Sequence, residues 1–374
     1  MIGHETDILI VGAGMAGVSL AAALAGRARV LLLEQEPQPG YHATGRSVAF
    51  WTESYGGPGV QPLTTASGPL LASPDPILSG RSFLSPRGAI HIGRRQDASA
   101  AGAMVAEFAP LGVELQVLSD EQLHAAVPGL RPDWSVGLAE PSCTDIDVAA
   151  LLQAYRAAAL LGGAEFALAN RFISARRDGS SWRVQTDMEE IACAILVDAA
   201  GAWADSVAQG CGLAPLGIAP LRRTVVQLRC ADAPPDFPLI VDLQGRFYFK
   251  PVGGGRIWLS PHDETPDRPH DVAPEEWDVA LAIHRFEAAV DWRIEAVERK
   301  WAGLRSFAPD RLPVYGFDPC APGFFWFAGQ GGFGIQTAPA AALLGAALLL
   351  GEPLPAPVAS IDPAPYAPDR LLAG

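Results

Sequence analysis

The sequence predicts a mixed protein, α/β together with α+β, in which two interleaved domains rest on a parallel and on a mostly antiparallel sheet. Three observations indicate this fold class. The chain has 374 residues, more than one compact core usually organises. An apolar strand, a glycine-rich turn and an apolar helix open it, and a matching strand comes only near residue 194. Residues 216–307 carry several separate strand-like segments, which are typical of an antiparallel sheet.

The first element is the apolar strand 8–11, which leads into the glycine-rich turn GAGMAG. Gly12 allows a tight turn, Gly14 lets backbone approach a pyrophosphate, and Gly17 permits close packing of helix on strand. The helix that follows offers its N-terminal amides to phosphate charge. The next strand, RVLLLE, ends at Glu34, whose carboxylate suits ribose hydroxyls and would repel a 2′-phosphate. This order predicts a Rossmann-like site for an adenine dinucleotide rather than a purely structural turn.

The segment after Glu34 bears on whether the dinucleotide is NAD or FAD. A simple nicotinamide dehydrogenase continues with alternating strands and helices, whereas QEPQPGYHATGRS is too rich in Gly and Pro for a crossover helix. The nucleotide fold resumes at AILVDAAGAWAD, residues 194–205, where a strand ends in small residues that suit a position beneath a nucleotide. A second glycine-rich loop, GQGGFGIQTAP at 329–339, then leads into a long apolar helix.

These segments divide the chain into two predicted domains. The nucleotide domain takes residues 1–48, 142–215 and 308–374, and the substrate domain takes residues 49–141 and 216–307. In the substrate domain we expect strands at RRTVVQLRC, RFYFKP and RIWLSP and a helix at EEWDVALAIHRFEAAV. The Pro-rich stretch PDRPHDVAP and the C-terminal tail PLPAPVASIDPAPYAP are expected to be loop and surface extension.

Composition excludes several kinds of partner. A formal net charge of −14 argues against nucleic acid and anionic membranes. The five cysteines are scattered and lack metal-ligand spacing, so we expect reduced thiols, no metal site and a cytoplasmic protein. The apolar N-terminal run is broken by glycines, and the C-terminal run 338–351 is too short to span a bilayer. We therefore expect no integral membrane span.

Over nearly its full length the sequence resembles the FAD-dependent amino-acid and amine oxidoreductases of the D-amino acid oxidase, glycine oxidase and sarcosine oxidase group. The stretches that carry the resemblance are GAGMAG, EPQPGYHATGRS, VDAAGAWAD, PLRRT, FYFKP, WAGLRSF and GQGGFGIQTAP. Within the group, the sequence is most similar to bacterial D-arginine dehydrogenase. The resemblance implies an FAD cofactor held without a covalent bond, since Cys320 does not match the attaching cysteine of sarcosine oxidases. The cofactor-binding residues that it implies are Gly12, Gly14, Ala16, Gly17, Glu34, Thr44, Gly45, Arg46, Ser47, Ala200, Gly201, Trp203, Arg305, Gly331, Gly332, Gly334, Ile335, Gln336 and Thr337.

The resemblance places the second glycine loop against the isoalloxazine ring of FAD. Main-chain amides of Gly334, Ile335, Gln336 and Thr337 would then stabilise negative charge at N1 and C2=O of the reduced flavin. The carbonyl of Gly332 would accept a hydrogen bond from the substrate amine.

Two arginines and two tyrosines match substrate-binding residues of the family. Arg305 and Arg223 would bind the substrate carboxylate and orient Cα–H toward flavin N5. Arg222 would face the other way on its strand. Tyr248 and Tyr55 would contact the substrate. The structural alternatives are arginines paired with carboxylates and tyrosines that merely pack.

Two departures from D-arginine dehydrogenase bear on the substrate. Ala89 stands where that enzyme has a glutamate, and Phe50 stands where it has a histidine. An uncharged, apolar pocket wall follows, so we predict neutral, hydrophobic D-amino acids as substrates. Hydride transfer from Cα to N5 would give an imine, which water hydrolyses to a 2-oxo acid and ammonia. This mechanism needs no catalytic histidine, and His42, His91 and His262 are expected to pack or to face solvent.

The electron acceptor is open among oxygen, quinone or another acceptor. Trp258 aligns with the lysine that sarcosine-type oxidases place near N5, which favours a dehydrogenase. Two alternatives remain at this point: a flavin enzyme for N-methyl or cyclic secondary amino acids or for a 2-hydroxy acid, and a non-catalytic flavoprotein.

Overall fold

The computed structural model of the chain describes residues 4–372. Within that range the strands, in chain order, are β1 His4–Val11, β2 Val30–Leu33, β3 Phe50–Trp51, β4 Leu84–Pro86, β5 Ala89–Arg94, β6 Gln116–Leu118, β7 Trp134–Glu140, β8 Thr144–Ile146, β9 Glu165–Ala167, β10 Phe172–Asp178, β11 Ser181–Thr186, β12 Glu190–Asp198, β13 Ala219–Cys230, β14 Leu239–Asp242, β15 Tyr248–Pro251, β16 Arg256–Ser260, β17 Thr265–Pro266, β18 Ile294–Phe307, β19 Val314–Phe317 and β20 Phe324–Ala328. The α-helices are α1 Met15–Ala23, α2 Gln61–Ala72, α3 Ala98–Phe108, α4 Asp120–Ala126, α5 Val148–Leu161, α6 Ala204–Gly210, α7 Glu276–Glu287, α8 Ala338–Leu350 and α9 Asp369–Leu372.

The first sheet has eight strands in the order β10-β11-β12-β1-β2-β9, with β20 paired to both β12 and β19. Strand β1 is parallel to both β2 and β12, and β20 is parallel to β12. Both faces of β1 are covered: Ile8 and Ile10 belong to one apolar core, Leu9 and Val11 to another. A continuous apolar run buried on both faces is typical of a central parallel strand. The predicted Rossmann-like sheet is confirmed.

Helices α1, α5 and α8 cover one face of this sheet and form its larger core. Helix α8 has no polar face, and a helix that is apolar all round is stable only when buried. Helix α2 packs against α8, and its Leu63 and Leu71 belong to the same core. The sequence predicts that residues 61–72 belong to the substrate domain. In the structure they pack with the nucleotide domain, because the apolar side of α2 is buried against α8.

The C-terminal tail is more than a surface extension. Val358, Ile361 and Tyr366 are buried in the core of the first sheet, and the Tyr366 hydroxyl donates to the Gly59 carbonyl at 2.9 Å. The expectation of a surface tail was wrong because these apolar side chains, spaced between prolines, fill space beside α8.

The second sheet has nine strands in the order β17-β13-β16-β15-β14-β5-β7-β6, and β18 pairs with β13. All pairings are antiparallel except β14 with β5, so the mostly antiparallel substrate sheet is confirmed. Helix α7 packs on one face through Phe286, which meets Phe249 and Trp292. The third sheet is small, with strands in the order β3-β8-β4. The first sheet is built from residues 4–33, 165–198 and 314–328, and the second is built from residues 89–140 and 219–307. The predicted boundaries of the two domains stay a prediction.

Two features of the fold place the site. Residues 34–49 form turns rather than a helix, as predicted. The second glycine loop, residues 329–337, is tied to the end of β18, because the Gly331 amide donates to the Ser306 carbonyl at 2.8 Å. Between residues 4 and 372, no helix is both long and apolar enough to cross a membrane.

Candidate active site

A cavity of about 470 Å³ lies between the first sheet and the second. It begins at the end of β1, runs past the turns of residues 40–48, and ends against β13, β15 and β18. The predicted residues that line it are Gly12, Gly14, Ala16, Glu34, Thr44, Arg46, Ser47, Ala200, Gly201, Trp203, Arg223, Tyr248, Arg305, Gly331, Gly332, Gly334 and Ile335. The predicted residues that do not are Gly17, Gly45, Tyr55, Gln336 and Thr337.

The glycines of the N-terminal turn have the geometry that their predicted roles require. Gly12 has φ +102°, and a Cβ there would lie 2.6 Å from the Ala199 carbonyl oxygen. A Cβ on Gly17 would lie 1.9 Å from the Gly12 carbonyl oxygen. Any side chain at either position would therefore break the turn or push α1 off the sheet. Gly17 acts through this packing and not at the cavity wall.

The first turn of α1 leaves main-chain donors open. The Ala13 amide donates to the Glu34 carboxylate at 2.8 Å, and the Met15 amide donates to the Thr44 hydroxyl at 2.9 Å. The amides of Gly14 and Ala16 have no acceptor among residues 4–372, and both residues line the cavity. Open amides at a helix N-terminus form an anion site, which fits a diphosphate.

Glu34 closes the same end of the cavity. It is buried, and its carboxylate also accepts from the Glu36 amide at 3.0 Å. Burial raises the pKa of Glu34, and the two amides partly offset that effect. Fixed by two main-chain donors, the carboxylate keeps lone pairs for hydroxyl groups at the cavity wall.

The cavity wall near Glu34 includes residues that the sequence reasoning missed. They lie just before and at the start of β10 and in α6: Asn170, Arg171, Phe172, Ile173, Ser206 and Val207. The register between β10 and β11 skips Ile173, so its main-chain groups fall outside the ladder at the cavity wall. No motif marks this segment, because only the pairing of β9 with β2 brings it beside Glu34.

The second glycine loop presents a row of open amides. The amides of Gly334, Ile335 and Gln336 have no acceptor among the described residues. The Thr337 amide donates to the Phe333 carbonyl at 3.1 Å, and the Thr337 hydroxyl donates to the same oxygen at 2.9 Å. Thr337 therefore closes the last turn of the loop, and its amide, which was predicted to be a flavin donor, is already paired within the loop.

The side chain of Gln336 points away from the cavity. Its amide nitrogen donates to the Thr64 hydroxyl at 2.9 Å and to the Tyr55 carbonyl at 3.2 Å. Its oxygen accepts from the Thr52 amide at 3.3 Å. The prediction that Gln336 binds the cofactor therefore holds at most for its main chain, since the side chain joins the loop to residues 52–55.

Arg46 and Gly45 also serve the protein rather than the cavity. The Arg46 guanidinium donates to the carbonyls of Val272 and Ala302, each at 3.1 Å, and forms an ion pair with Asp271. Although Arg46 lines the cavity, its charge fastens the turns of residues 40–48 to the substrate sheet. The Gly45 amide donates to the Gly40 carbonyl at 2.8 Å and closes the turn.

The two predicted clamp arginines lie on one face of the β13–β18 ladder. Arg305 is paired with Leu221 and Arg223 with Gly303, so the two side chains are diagonal neighbours. Gly303 has no side chain, and it lines the cavity between them. Arg222 faces the opposite side, where it pairs with Asp267, Glu275 and Asp278, as predicted.

Arg223 is buried with one nitrogen unsatisfied. Its Nε donates to the Asp263 carbonyl at 2.7 Å, and its Nη2 donates to the Glu264 carboxylate at 3.1 Å. Its Nη1 is buried without a partner among the described residues. Burial lowers the pKa of Arg223, and repulsion from Arg305 lowers it further. A buried, unpaired guanidinium nitrogen calls for an anionic acceptor.

Two phenols stand beside these guanidinium groups. Arg305 Nη1 donates to the Tyr55 hydroxyl at 2.6 Å. Tyr248 is 3 % exposed, and its hydroxyl is buried without a partner in the described part of the chain. Tyr55 thus belongs to the site through Arg305, although it does not line the cavity.

His262 was expected to pack or to face solvent, and it packs against the site. Its ring centroid lies 5.6 Å from that of Tyr248 and 6.4 Å from that of Tyr55. Nδ1 contacts the Gly245 carbonyl, which can only accept, so Nδ1 carries the proton and Nε2 a lone pair. Burial, followed by Arg223 and Arg305, lowers the pKa of His262 to about 2. The imidazole is therefore neutral.

The wall behind Tyr248 is apolar. It consists of one cluster of buried and partly buried side chains: Val48, Phe50, Ala89, Cys143, Val225, Leu239, Val241, Tyr248, Trp258 and Trp301. Ala89 is 3 % exposed, and neither Ala89 nor Phe50 lines the cavity, so the two predicted pocket-wall residues lie behind Tyr248 rather than at the cavity surface. Trp258 lies outside the cavity lining, with its indole N–H donating to the Gln227 side chain at 2.9 Å. Cys320 is exposed and does not line the cavity.

The cavity thus joins two sets of open main-chain amides, one at each glycine loop, to a pair of guanidinium groups. A Rossmann-like sheet that carries such a cavity beneath an antiparallel sheet is typical of one class of protein, the flavin-dependent oxidoreductases. The chain belongs to the DAO family, since the family model described as FAD dependent oxidoreductase matches residues 7–348. FAD is therefore its cofactor, and the open amides at both glycine loops and the buried Glu34 carboxylate fit that group.

Two curated relatives show the extent of the sequence similarity. A glycine oxidase from Pseudomonas aeruginosa is 31% identical over 261 residues, which cover 66% of each chain. FAD-dependent oxidoreductase domain-containing protein 1 from Mus musculus is 25% identical over 388 residues, covering 90% of this chain and 79% of that protein.

Solved structures share the fold. Glycine oxidase from Geobacillus kaustophilus superposes with a TM-score of 0.85 at 23% identity, covering 97% of this chain and 98% of that one. L-proline dehydrogenase from P. horikoshii gives a TM-score of 0.85 at 20% identity, with 99% of each chain covered.

Proposed function

We propose that this FAD-dependent oxidoreductase deaminates D-amino acids with neutral or hydrophobic side chains, giving 2-oxo acids and ammonia. The observation that carries the proposal is a set of polar groups without protein partners at one end of the cavity. Arg223 Nη1 and the Tyr248 hydroxyl are buried and unpaired among residues 4–372, and Arg305 has only Tyr55 as a partner. Two guanidinium groups and a phenol in this state match the needs of a carboxylate.

The carboxylate would be held between Arg223 and Arg305 and accept from Tyr248. Because both arginines are anchored at one side, to Glu264 and to Tyr55, their free nitrogens are pre-oriented. The amine would donate to the Gly332 carbonyl, which accepts no hydrogen bond among the described residues. Two fixed ends leave Cα with one orientation.

The amine must be neutral when Cα–H leaves. FAD, when bound, supplies the acceptor for that hydride. Two cationic guanidinium groups near the amine favour its neutral form, since like charges disfavour a further cation. Gly332 and Arg305 both line the cavity, and they are so close that a Cβ added to Gly332 would lie 2.9 Å from Arg305 Nη1.

The apolar wall supports the side-chain preference. The cluster behind Tyr248, which includes Ala89, Phe50 and Val241, offers no charge to a cationic side chain; of its members, Val48, Val225 and Tyr248 line the cavity itself. Burying an unpaired cation there would cost several kcal/mol. The resemblance to D-arginine dehydrogenase therefore extends to the clamp and not to the substrate. The relatives named above are glycine oxidases and other family members, so that closer resemblance stays a prediction.

A cyclic or N-methyl secondary amino acid is the second candidate. The fold is shared with a proline dehydrogenase, and the Gly332 carbonyl needs only one N–H from the substrate. The carboxylate clamp and the apolar wall would serve such a substrate equally well. A 2-hydroxy acid would use the same clamp and donate its hydroxyl to Gly332.

The test is anaerobic mixing of the FAD-loaded protein with D- and L-amino acids, sarcosine, proline and a 2-hydroxy acid, while the visible flavin band is followed. We expect D-Phe, D-Leu or D-Met to bleach the band about 100-fold more efficiently than D-Arg. Preference for D-Arg would overturn the pocket argument, and bleaching by proline alone would favour the second candidate. Oxygen consumption then separates an oxidase from the dehydrogenase that we favour.

A further inference from the structure

We infer that Glu140 is a positioning residue for the substrate clamp: it fixes residues 52–55, here called the Tyr55 turn, so that Tyr55 holds Arg305 in place. Glu140 ends β7 and is 0% exposed. The inference rests on the proposed function, because it concerns the same carboxylate clamp.

All close donors to the Glu140 carboxylate come from the Tyr55 turn. Oε1 accepts from the Glu53 amide at 2.7 Å and from the Ser54 amide at 3.3 Å. Oε2 accepts from the Ser54 hydroxyl at 2.5 Å. The nearest basic group in the described chain is His91, whose Nε2 lies 3.7 Å from Oε2.

A fully buried carboxylate is unfavourable unless donors compensate it. Burial raises the pKa of Glu140, but the nearby His91 ring and the hydrogen bond from the Ser54 hydroxyl more than offset this, and the pKa is lowered. The carboxylate is therefore ionised, and its hydrogen bonds to the turn are charge-assisted and strong. The turn has no helix or strand to fix it, so these bonds determine its position.

The second anchor of the Tyr55 turn is Gln336. Its side chain accepts from the Thr52 amide at 3.3 Å and donates to the Tyr55 carbonyl at 3.2 Å. The turn is thus held by the substrate sheet through Glu140 and by the second glycine loop through Gln336. These two anchors fix the turn relative to both the substrate sheet and the second glycine loop.

The turn ends at the residue that touches the clamp. The Tyr55 ring packs against Phe50 and Phe333, with ring centroids 5.6 Å and 5.2 Å apart, and its hydroxyl accepts from Arg305. Movement of the turn would therefore carry the hydroxyl away from Arg305 Nη1. Because no carboxylate in the described part of the chain pairs with that guanidinium, its orientation depends on Tyr55.

Glu140 does not serve as a binding group for a cationic substrate side chain. It is the cross-strand partner of Ala89, which lies in the apolar wall, so a carboxylate does stand near the pocket. Both of its oxygens are occupied by the Tyr55 turn, however, and neither is exposed to the cavity. Its position and its partners therefore point to the turn.

The test compares FAD-loaded wild type with Glu140→Gln, which keeps the volume but places an NH₂ group among the turn's donors. Benzoate is titrated against the visible flavin band, since it reports the carboxylate clamp without turnover. We expect about tenfold weaker benzoate binding and a similar rise in KM, with a smaller change in kcat, because the clamp binds ground and transition states alike.

The route through Tyr55 is tested by a double-mutant cycle. In a Tyr55→Phe background, Glu140→Gln should weaken benzoate binding by less than about twofold. Equal effects in both backgrounds, or no effect of Glu140→Gln alone, would overturn the inference. Asp97→Asn is the matched control, since Asp97 is a buried carboxylate that accepts the Arg94 amide at 2.8 Å outside the cavity.

Two outcomes separate this inference from the proposed function. If wild type binds no benzoate and no amino acid bleaches its flavin, the proposed function fails, and the inference falls with it. If wild type behaves as proposed and Glu140→Gln does not fold, Ser54→Ala decides, since it removes one donor and leaves the carboxylate. Unchanged benzoate affinity in that variant would overturn the inference alone.

Discussion

Arg305 Nη1 donates to the Tyr55 hydroxyl at 2.6 Å, and no salt bridge to Arg305 exists among residues 4–372. The other arginine of the pair, Arg223, is anchored by Glu264 and by the Asp263 carbonyl. One guanidinium is thus compensated and the other is left for an anion. An arginine that lines a cavity without a carboxylate partner is unfavourable unless an anionic ligand compensates its charge. The unpaired Arg305 therefore indicates a site for such a ligand.

Replacement of Arg305 by lysine tests this use of the charge. Lysine keeps the charge but loses the planar fork, so we expect kcat/KM for the preferred amino acid to fall about 100-fold or more. Steady-state kinetics with an artificial electron acceptor measures the loss. Arg222→Lys is the matched control, because Arg222 is on the opposite face of β13 and pairs with acidic side chains. Equal effects of both changes would contradict the assignment.

The sequence predicts best what depends on the main chain. The turn at Gly12 and the packing at Gly17 require glycine whatever the surroundings, and their geometry follows the prediction. Strands of the substrate sheet were predicted because their alternation is local. The cofactor-binding and catalytic roles of residues in the stretches that carry the family resemblance remain predictions. The structure shows the positions of these residues and their contacts.

Side-chain direction was not predictable from motif membership. Gln336, Thr337 and Arg46 lie in stretches typical of flavin binding, yet the side chain of each donates hydrogen bonds to other groups of the protein. For a related reason the sequence did not predict Glu140 as a site residue, nor the position of His262 beside Tyr248 and Tyr55. Each meets its partner across a long separation in the chain, at the Tyr55 turn and at the Gly245 carbonyl, and no local pattern marks it.

Gly332→Ala should impair the clamp through a steric effect. An added Cβ would lie 2.5 Å from the Tyr55 hydroxyl oxygen and 2.9 Å from Arg305 Nη1, so both must shift. We expect at least about a tenfold fall in kcat/KM, since small displacements of reacting groups cost that much or more. Retention of FAD is measured by absorbance in parallel. Gly102→Ala is the control, because nothing lies within 4 Å of a Cβ there; wild-type kinetics in Gly332→Ala would count against the close packing.

His262→Asn should remove an acid-sensitive contribution to stability. The folded pKa of His262 is lowered to about 2 by burial and by Arg223 and Arg305, whereas the unfolded histidine has an ordinary value of 6.5. The unfolded state therefore takes up a proton that the folded state refuses, so this contribution is complete above pH 6.5 and is lost as pH falls. Asparagine tolerates the residue's φ of +56° and can donate to the Gly245 carbonyl.

The free energy of unfolding of wild type and His262→Asn, each loaded with FAD, is compared at pH 7.5 and pH 5.5. Between pH 7.5 and pH 5.5, the free energy of unfolding of wild type should fall by about 1.4 kcal/mol relative to that of His262→Asn. A difference that stays constant with pH would show that the folded imidazole takes up its proton as readily as the unfolded one.

Asp198→Asn should stabilise the protein at alkaline pH. Asp198 ends β12 and is 0% exposed; one oxygen accepts from the Ala200 amide at 3.0 Å, and the other has no partner in the described chain. Burial, aided by repulsion from Asp205, raises the pKa of Asp198 well above 3.8. The folded state therefore keeps a proton that the unfolded state releases, and wild-type stability falls as pH rises above 3.8. Asparagine has the same shape and no such dependence on pH, so the advantage of the Asp198→Asn variant should reach about 1–3 kcal/mol at pH 8 and shrink toward pH 5.

The control variant Asp7→Asn should have the opposite effect on stability. A side-chain hydrogen bond from Arg29 lowers the pKa of Asp7, and loss of that bond destabilises the folded state. Thermal unfolding of both variants at the two pH values distinguishes the cases; an Asp198→Asn protein less stable than wild type at pH 8 would mean that the ionised carboxylate has a cation or water partner beneath the nucleotide site.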